Sequence, residues 1–167
     1  ASLRKLGFKG FFINLIGAYI EKSLSKYTGI SPGSEMKSAI NLVKKHNIKI
    51  ALIDQPIEIT IKRLTSHLTK KEKRQFLKDF LKAFFLHKKQ VEFDLNRIPS
   101  QKVITSLMKE TKEKYPTIYR TLVTERNTYM SKALYKLMLS FPDKKILALV
   151  GAGHVNGILG ELKSMKN

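Results

Sequence analysis

Two short apolar runs constrain the fold of this chain more than any other feature. Ile48-Lys49-Ile50-Ala51-Leu52-Ile53 and Ile146-Leu147-Ala148-Leu149-Val150 are aliphatic and rich in β-branched residues, and each lies between segments with helical spacing. Runs of that length and composition read as buried strands. Strands that alternate with helices need crossover connections, which give parallel pairs in an α/β layer. The expectation is an α/β fold, with helix-rich layers around a small, mainly parallel sheet. Two strands alone make a poor sheet. The chain also starts without Met, on a stretch that reads as mid-domain helix. A single domain, incomplete at its N-terminus, is therefore expected over residues 1–167.

Helix dominates the rest. The pattern predicts a helix over residues 7–27. Its apolar part is too short to span a bilayer and carries three glycines, and no signal-peptide pattern is present. Thr28 to Gly33 stops that helix and restarts the next, with Ser31 as N-cap and Pro32 at the first helical position. Met36, Ala39, Ile40 and Val43 then keep helical spacing as far as His46-Asn47. Ile57, Ile61, Leu64 and Leu68 share one helical face, although Ile57, Ile59 and Ile61 also alternate as a strand would. A capping box, Thr69-x-x-Glu72, opens a helix over 69–87. A loop over 91–100 follows, then helices over 100–114 and 116–140. Phe141-Pro142-Asp143 ends the second of these, and a last short helix follows Gly151-Ala152-Gly153-His154.

Charge is the loudest compositional feature: 32 Lys and Arg against 13 Asp and Glu give +19. Only six of the basic residues are Arg. The lysines are dispersed in pairs between apolar stripes, as on the wet faces of helices. A surface for anionic membrane or nucleic acid is the alternative. Nucleic acid is the weaker of the two, because no zinc finger, RNA-recognition signature or basic region leading into heptads is present. A hydrophobic fraction of 43% excludes a disordered basic tail. The absence of cysteine excludes disulfide frameworks, zinc ribbons and thiol catalysis. With four histidines, a metal site would have to lean on carboxylates.

Several residues break their local pattern. At 3.6 residues per turn, Tyr119, Leu122, Val123, Tyr129, Met130, Ala133, Leu134 and Leu137 share an apolar arc. Arg126 falls near its middle, with Glu125 and Asn127 at its edges. A guanidinium placed there needs a partner: either a structural ion pair, with Glu35 or Asp54, or a charged active-site cleft. His154 follows a predicted strand through two glycines, at the sheet edge where α/β proteins bind ligands. Its plainer role is a turn histidine bonded to backbone. Asp54 ends the other predicted strand at the same edge, or simply caps the next helix. Arg63 reaches that edge or stays solvated. Glu35 complements its helix dipole. His46, His67 and His87 sit among lysines and read as surface residues.

Five segments in order carry a family resemblance: Gly33-Ser34-Glu35-Met36 with Ala39-Ile40; Leu52-Ile53-Asp54; Ile59-Thr60-Ile61-Lys62-Arg63; Glu125-Arg126-Asn127 with Tyr129-Met130; and Val150-Gly151-Ala152-Gly153-His154 with Gly157-Ile158. Over residues 28–162 the chain resembles the TraB/PrgY family, and more distantly the GumN and Tiki proteins. The resemblance implies an erythromycin-esterase/ChaN-like α/β fold and a metal-dependent hydrolase site built on two G-x-x-H motifs and a glutamate. Gly151 to His154 matches the second motif. Gln55-Pro56 stand where the TraB pattern usually has Arg-Asp, and Asn127 matches the Tiki and GumN form.

By that resemblance, His154 is the metal ligand or general base. Arg126 stabilises negative charge, Glu125 joins the catalytic group, and Glu35, Asp54, Arg63, Asn127, Tyr129, Gly151 and Gly153 support or line the site. A divalent Mn, Co or Zn ion would belong to the complete domain, with none tightly bound here, and the isolated chain is expected to be inactive. The implied function is peptide or pheromone processing or inhibition. The alternative is a peptide- or partner-binding module at an anionic membrane surface, in a soluble domain of a membrane-anchored protein. A truncated sheet would expose an edge, which favours a homodimer.

Overall fold

The computed structural model describes residues 33–85 and 101–166. The predicted helix over 7–27, the Ser31-Pro32 restart, His87 and the loop over 91–100 lie outside the described residues. The chain divides into two compact units, residues 1–53 and 54–167.

In the first unit, helix α1 (Ser34–Lys45) begins after Gly33, whose φ of 83° lies in the left-handed region. Glu35 occupies the exposed first turn. The helix ends where Asn47 takes φ 51° and the amide of Ile48 donates to the carbonyl of Val43, the left-handed stop that asparagine tolerates. Residues 48–53 follow without regular structure.

The second unit is helical: α2 (Ile57–His67), α3 (Lys70–Phe85), α4 (Gln101–Lys114), α5 (Pro116–Tyr119), α6 (Glu125–Ser140) and α7 (Val155–Lys166). Ile57, Ile59 and Ile61 belong to a helix, so the alternative strand is not formed. The capping box forms as predicted. The Glu72 amide donates to Thr69 Oγ1 at 3.1 Å, and the Thr69 amide donates to Glu72 Oε2 at 3.1 Å. Glu72 Oε1 also accepts the Thr117 amide at 2.7 Å, which ties the start of α3 to the start of α5. At the other junction, Tyr115 donates its hydroxyl hydrogen to Asp79, which also pairs with Lys114 at 2.9 Å.

The expected α/β fold with a parallel sheet is not what forms: no strand is present among the described residues. Both apolar runs lack regular structure, with Leu52 89% and Leu147 96% exposed. β-branched composition favours a strand only where a neighbour supplies a ladder and a covering face. Neither run has such a neighbour among the described residues.

The continuous helix predicted over 116–140 is also corrected. A π turn, Arg120–Thr124, separates α5 from α6. It inserts an extra residue into the helical repeat, so the apolar arc read at constant pitch does not run through it. Beyond the turn, Met130 and Leu134 are buried with Ile158 of α7 and Ile61 of α2. Tyr129, placed on the arc by spacing, is 43% exposed.

Candidate functional site

The site grows from the start of α6 and from the 3-10 turn Ala152–His154 that leads into α7. Asn127 is 6% exposed, and its Oδ1 lies 2.7 Å from His154 Nδ1. An amide oxygen only accepts, so Nδ1 carries the proton and Nε2 keeps its lone pair. Burial pushes the His154 pKa below its ordinary 6.5, and the Arg126 charge pushes the same way against the weaker pull of Asp54. The imidazole is neutral at neutral pH, with one tautomer selected.

Arg126 is the centre of a second link. Its Nε and Nη2 donate to the two carboxylate oxygens of Asp54 at 3.1 and 2.6 Å, and Nη1 donates to the Leu122 carbonyl at 3.2 Å. This is the fork geometry in which Arg grips a carboxylate. Its grip holds the Asp54 pKa below the ordinary 3.8, although partial burial opposes the charge. The partner left open by the sequence is thus Asp54. Arg126 is not sunk in a core, since its side chain is 28% exposed. Asp54 does not cap α2 either: the N-cap position is Pro56, and Asp54 Oδ1 accepts the Gln55 amide at 2.7 Å.

A third link holds Glu125 between two guanidiniums. Arg63 Nη1 lies 2.9 Å from it and Arg120 Nε 3.7 Å. Arg120 was not singled out by sequence, since a lone Arg in a helix usually reads as solvated. Glu35 lies in the first unit, exposed on α1, and the three links described here are all within the second. Tyr129 stands exposed beside them in sequence.

The glycines act differently from expectation. Gly151 has φ −60°, an ordinary value, and its carbonyl accepts the His154 amide at 2.9 Å. Gly153 sits close to α4: a Cβ there would lie 3.3 Å from the flexible end of Met108, which would have to give by a few tenths of an ångström. Gly157, which the sequence places in a family-like segment without a role, is the tightest position, for a Cβ there would collide with the Asn127 side chain. Thr128 Oγ1, donating to Glu161 at 2.7 Å, joins α6 to α7 beside it.

The divalent metal implied by the resemblance does not fit the described residues. No three His, Asp or Glu side chains among them converge. His154 Nδ1 is committed to Asn127, and Asp54 gives both oxygens to Arg126. No helix among the described residues is long and apolar enough to cross a membrane.

Comparison with known proteins bears out the family resemblance. An uncharacterized protein of Methanocaldococcus jannaschii is 39% identical over 166 residues, covering 99% of this chain and 41% of that protein. The TraB domain-containing proteins of cattle and human are each 24% identical over 171 residues, covering 94% of this chain and 45% of theirs. The chain thus spans less than half the length of these relatives. No solved structure matches it. The model of the TraB/PrgY/gumN family matches residues 14–167, and the chain belongs to that family.

Proposed function

We propose that this chain carries part of a hydrolase centre acting on peptides, with His154 Nε2 as general base. The observation that carries the reading is the 2.7 Å contact between Asn127 Oδ1 and His154 Nδ1. It keeps the proton on Nδ1, and with the pKa lowered by burial and Arg126 the lone pair stays on Nε2, which is what a base working near neutral pH requires. In the step, Nε2 removes a proton from water as the water oxygen bonds to the peptide carbonyl carbon. The same proton then passes to the leaving nitrogen as the C–N bond breaks.

Arg126 acts on His154, not on substrate. Its charge disfavours the imidazolium, and Asp54 holds it in place. Glu125, Arg63 and Arg120 fix the start of α6, from which Asn127 projects. Asn127 is a positioning residue. Gly151 closes the turn through its carbonyl, and Gly153 admits α4 through Met108.

The test is hydrolysis of a mixed-sequence peptide pool by the full-length protein that contains this chain. His154→Gln should lower kcat by about 10²–10⁴-fold, the usual share of a general base. Asn127→Ala should lower kcat with KM little changed and shift the acid limb of the pH profile. Turnover unchanged in His154→Gln, or absent from the unmodified full-length protein, would overturn the reading.

A further inference from the structure

A cavity of about 300 Å³ opens beside the His154 turn, at the small end of ligand pockets. Its floor is apolar, formed by Ile104, Met108 and Tyr119. Lys109 and Lys112 stand on its wall, and no Asp or Glu lines it. Neither lysine forms a salt bridge among the described residues. Lys112 Nζ instead lies 5.9 Å from the Tyr119 ring centroid, so the cation leans over the floor itself.

The wall also includes Asn127. Its Oδ1 is committed to His154, but its Nδ2 has no hydrogen-bond acceptor among the described residues, although the residue is 6% exposed. That nitrogen is not one of the buried unpartnered atoms among the described residues, which are Thr121 Oγ1 and Ser131 Oγ, so a ligand oxygen in the cavity can take the place of solvent on it. Ala152 and Gly153, the two residues before His154, complete the same wall.

We propose that this cavity binds the free carboxyl terminus of a peptide that ends in an apolar residue. The apolar side chain covers the floor, and the carboxylate accepts from Asn127 Nδ2 and meets the lysine charges. A metal ion finds no carboxylate ligand in the lining. A nucleic-acid backbone would leave the apolar floor uncovered. The inference rests on the peptide-hydrolase reading for its substrate class, but binding does not require turnover. One amide then joins ligand to base, with Nδ2 on the carboxylate and Oδ1 on the imidazole.

The experiment is calorimetric titration of the chain with acetyl-Ala-Leu as free acid and as C-terminal amide, with octanoate as a third probe. The free acid should bind about tenfold or more tightly than the amide, as expected for a charge-assisted contact. The double variant Lys109→Gln/Lys112→Gln should lose that discrimination, and since both side chains are exposed its fold is expected to be intact. Equal binding of acid and amide, no binding of either, or octanoate binding as tightly as the peptide acid would overturn the proposal. Binding as expected without turnover would leave it standing and remove only the hydrolase reading. Turnover without discrimination between acid and amide would do the reverse.

Discussion

A Cβ added to Gly157 would stand 2.8 Å from Cγ of Asn127 and closer still to its amide nitrogen. Asn127 is buried and fixed by its contact with His154, so it cannot yield without releasing the imidazole. The two helices approach closely at the point where the tautomer is set. Gly157→Ala should therefore cost about 1–3 kcal/mol, the usual range for overpacking. It should also give mixed His154 tautomers in nitrogen-15 NMR. Gly160, on the same helix, has nothing within 4 Å of its would-be Cβ. Gly160→Ala is the control: a gain of about 0.4–1 kcal/mol with the His154 spectrum unchanged.

The Arg126 charge and burial together hold the His154 pKa below 6.5. Arg126→Gln removes one of these and leaves Asp54 unneutralised, and both changes favour the imidazolium. The His154 pKa should rise, as read by NMR titration. The sign carries into stability. In the native chain the unfolded state takes the proton first, so stability falls as pH drops through 6.5 towards the lower folded value. Arg126→Gln should flatten that fall. A His154 titration unmoved by the substitution would show that the Arg126 field does not reach the ring.

Much of the site was legible because it lies in local patterns. His154 after two glycines, and Glu125, Arg126 and Asn127 in a row, needed no tertiary knowledge to stand out. The Thr69–Glu72 capping box is likewise a four-residue fact and forms as read. That the predicted sheet does not form among the described residues was not legible, for the opposite reason. Strand character in Ile48–Ile53 and Ile146–Val150 depends on a neighbour, which a local run cannot reveal. The π turn at Arg120–Thr124 was hidden too, since periodicity read at constant pitch passes over an inserted residue. That insertion separates the apolar arc of the sequence from the observed setting of Arg126, paired at the surface with Asp54. Gly157 could have been found from its place in a family-like segment, but its reason is a contact 30 residues away in the chain.

Tyr115 and Asp79 test the junction of α3 with the end of α4. The hydrogen bonds from Tyr115 and Lys114 hold the Asp79 pKa at about 2, and burial with the Asp79 bond raises the Tyr115 pKa to about 12. The folded pKa of Asp79 is depressed from 3.8. Its contribution is therefore complete above 3.8 and is lost as pH falls through about 2. Tyr115→Phe should lower the thermal midpoint at neutral pH and make the acid loss of stability shallower. A midpoint deficit that stays constant from neutral pH to pH 2 would mean the hydroxyl acts through packing instead of through the carboxylate.

Glu72 carries a larger stake, because it is 4% exposed and serves two helices. Burial opposes its charge, yet the hydrogen bonds from Thr69 and Thr117 together outweigh burial and leave its pKa below 4.5. Glu72→Ala would unpair the Thr69 and Thr117 amides at once, the first at a helix start and the second where α5 begins. The cost should be about 1–3 kcal/mol in chemical denaturation, combining a lost cap with an orphaned donor. Glu72→Gln keeps an acceptor oxygen for one of the two amides but not the charge, so it should fall between. Thr69→Ala removes only the box and leaves Thr117 served, so it should cost less than Glu72→Ala. Equal losses for Thr69→Ala and Glu72→Ala would show that the link to Thr117 adds nothing, and that α3 and α5 are held together by apolar contact alone.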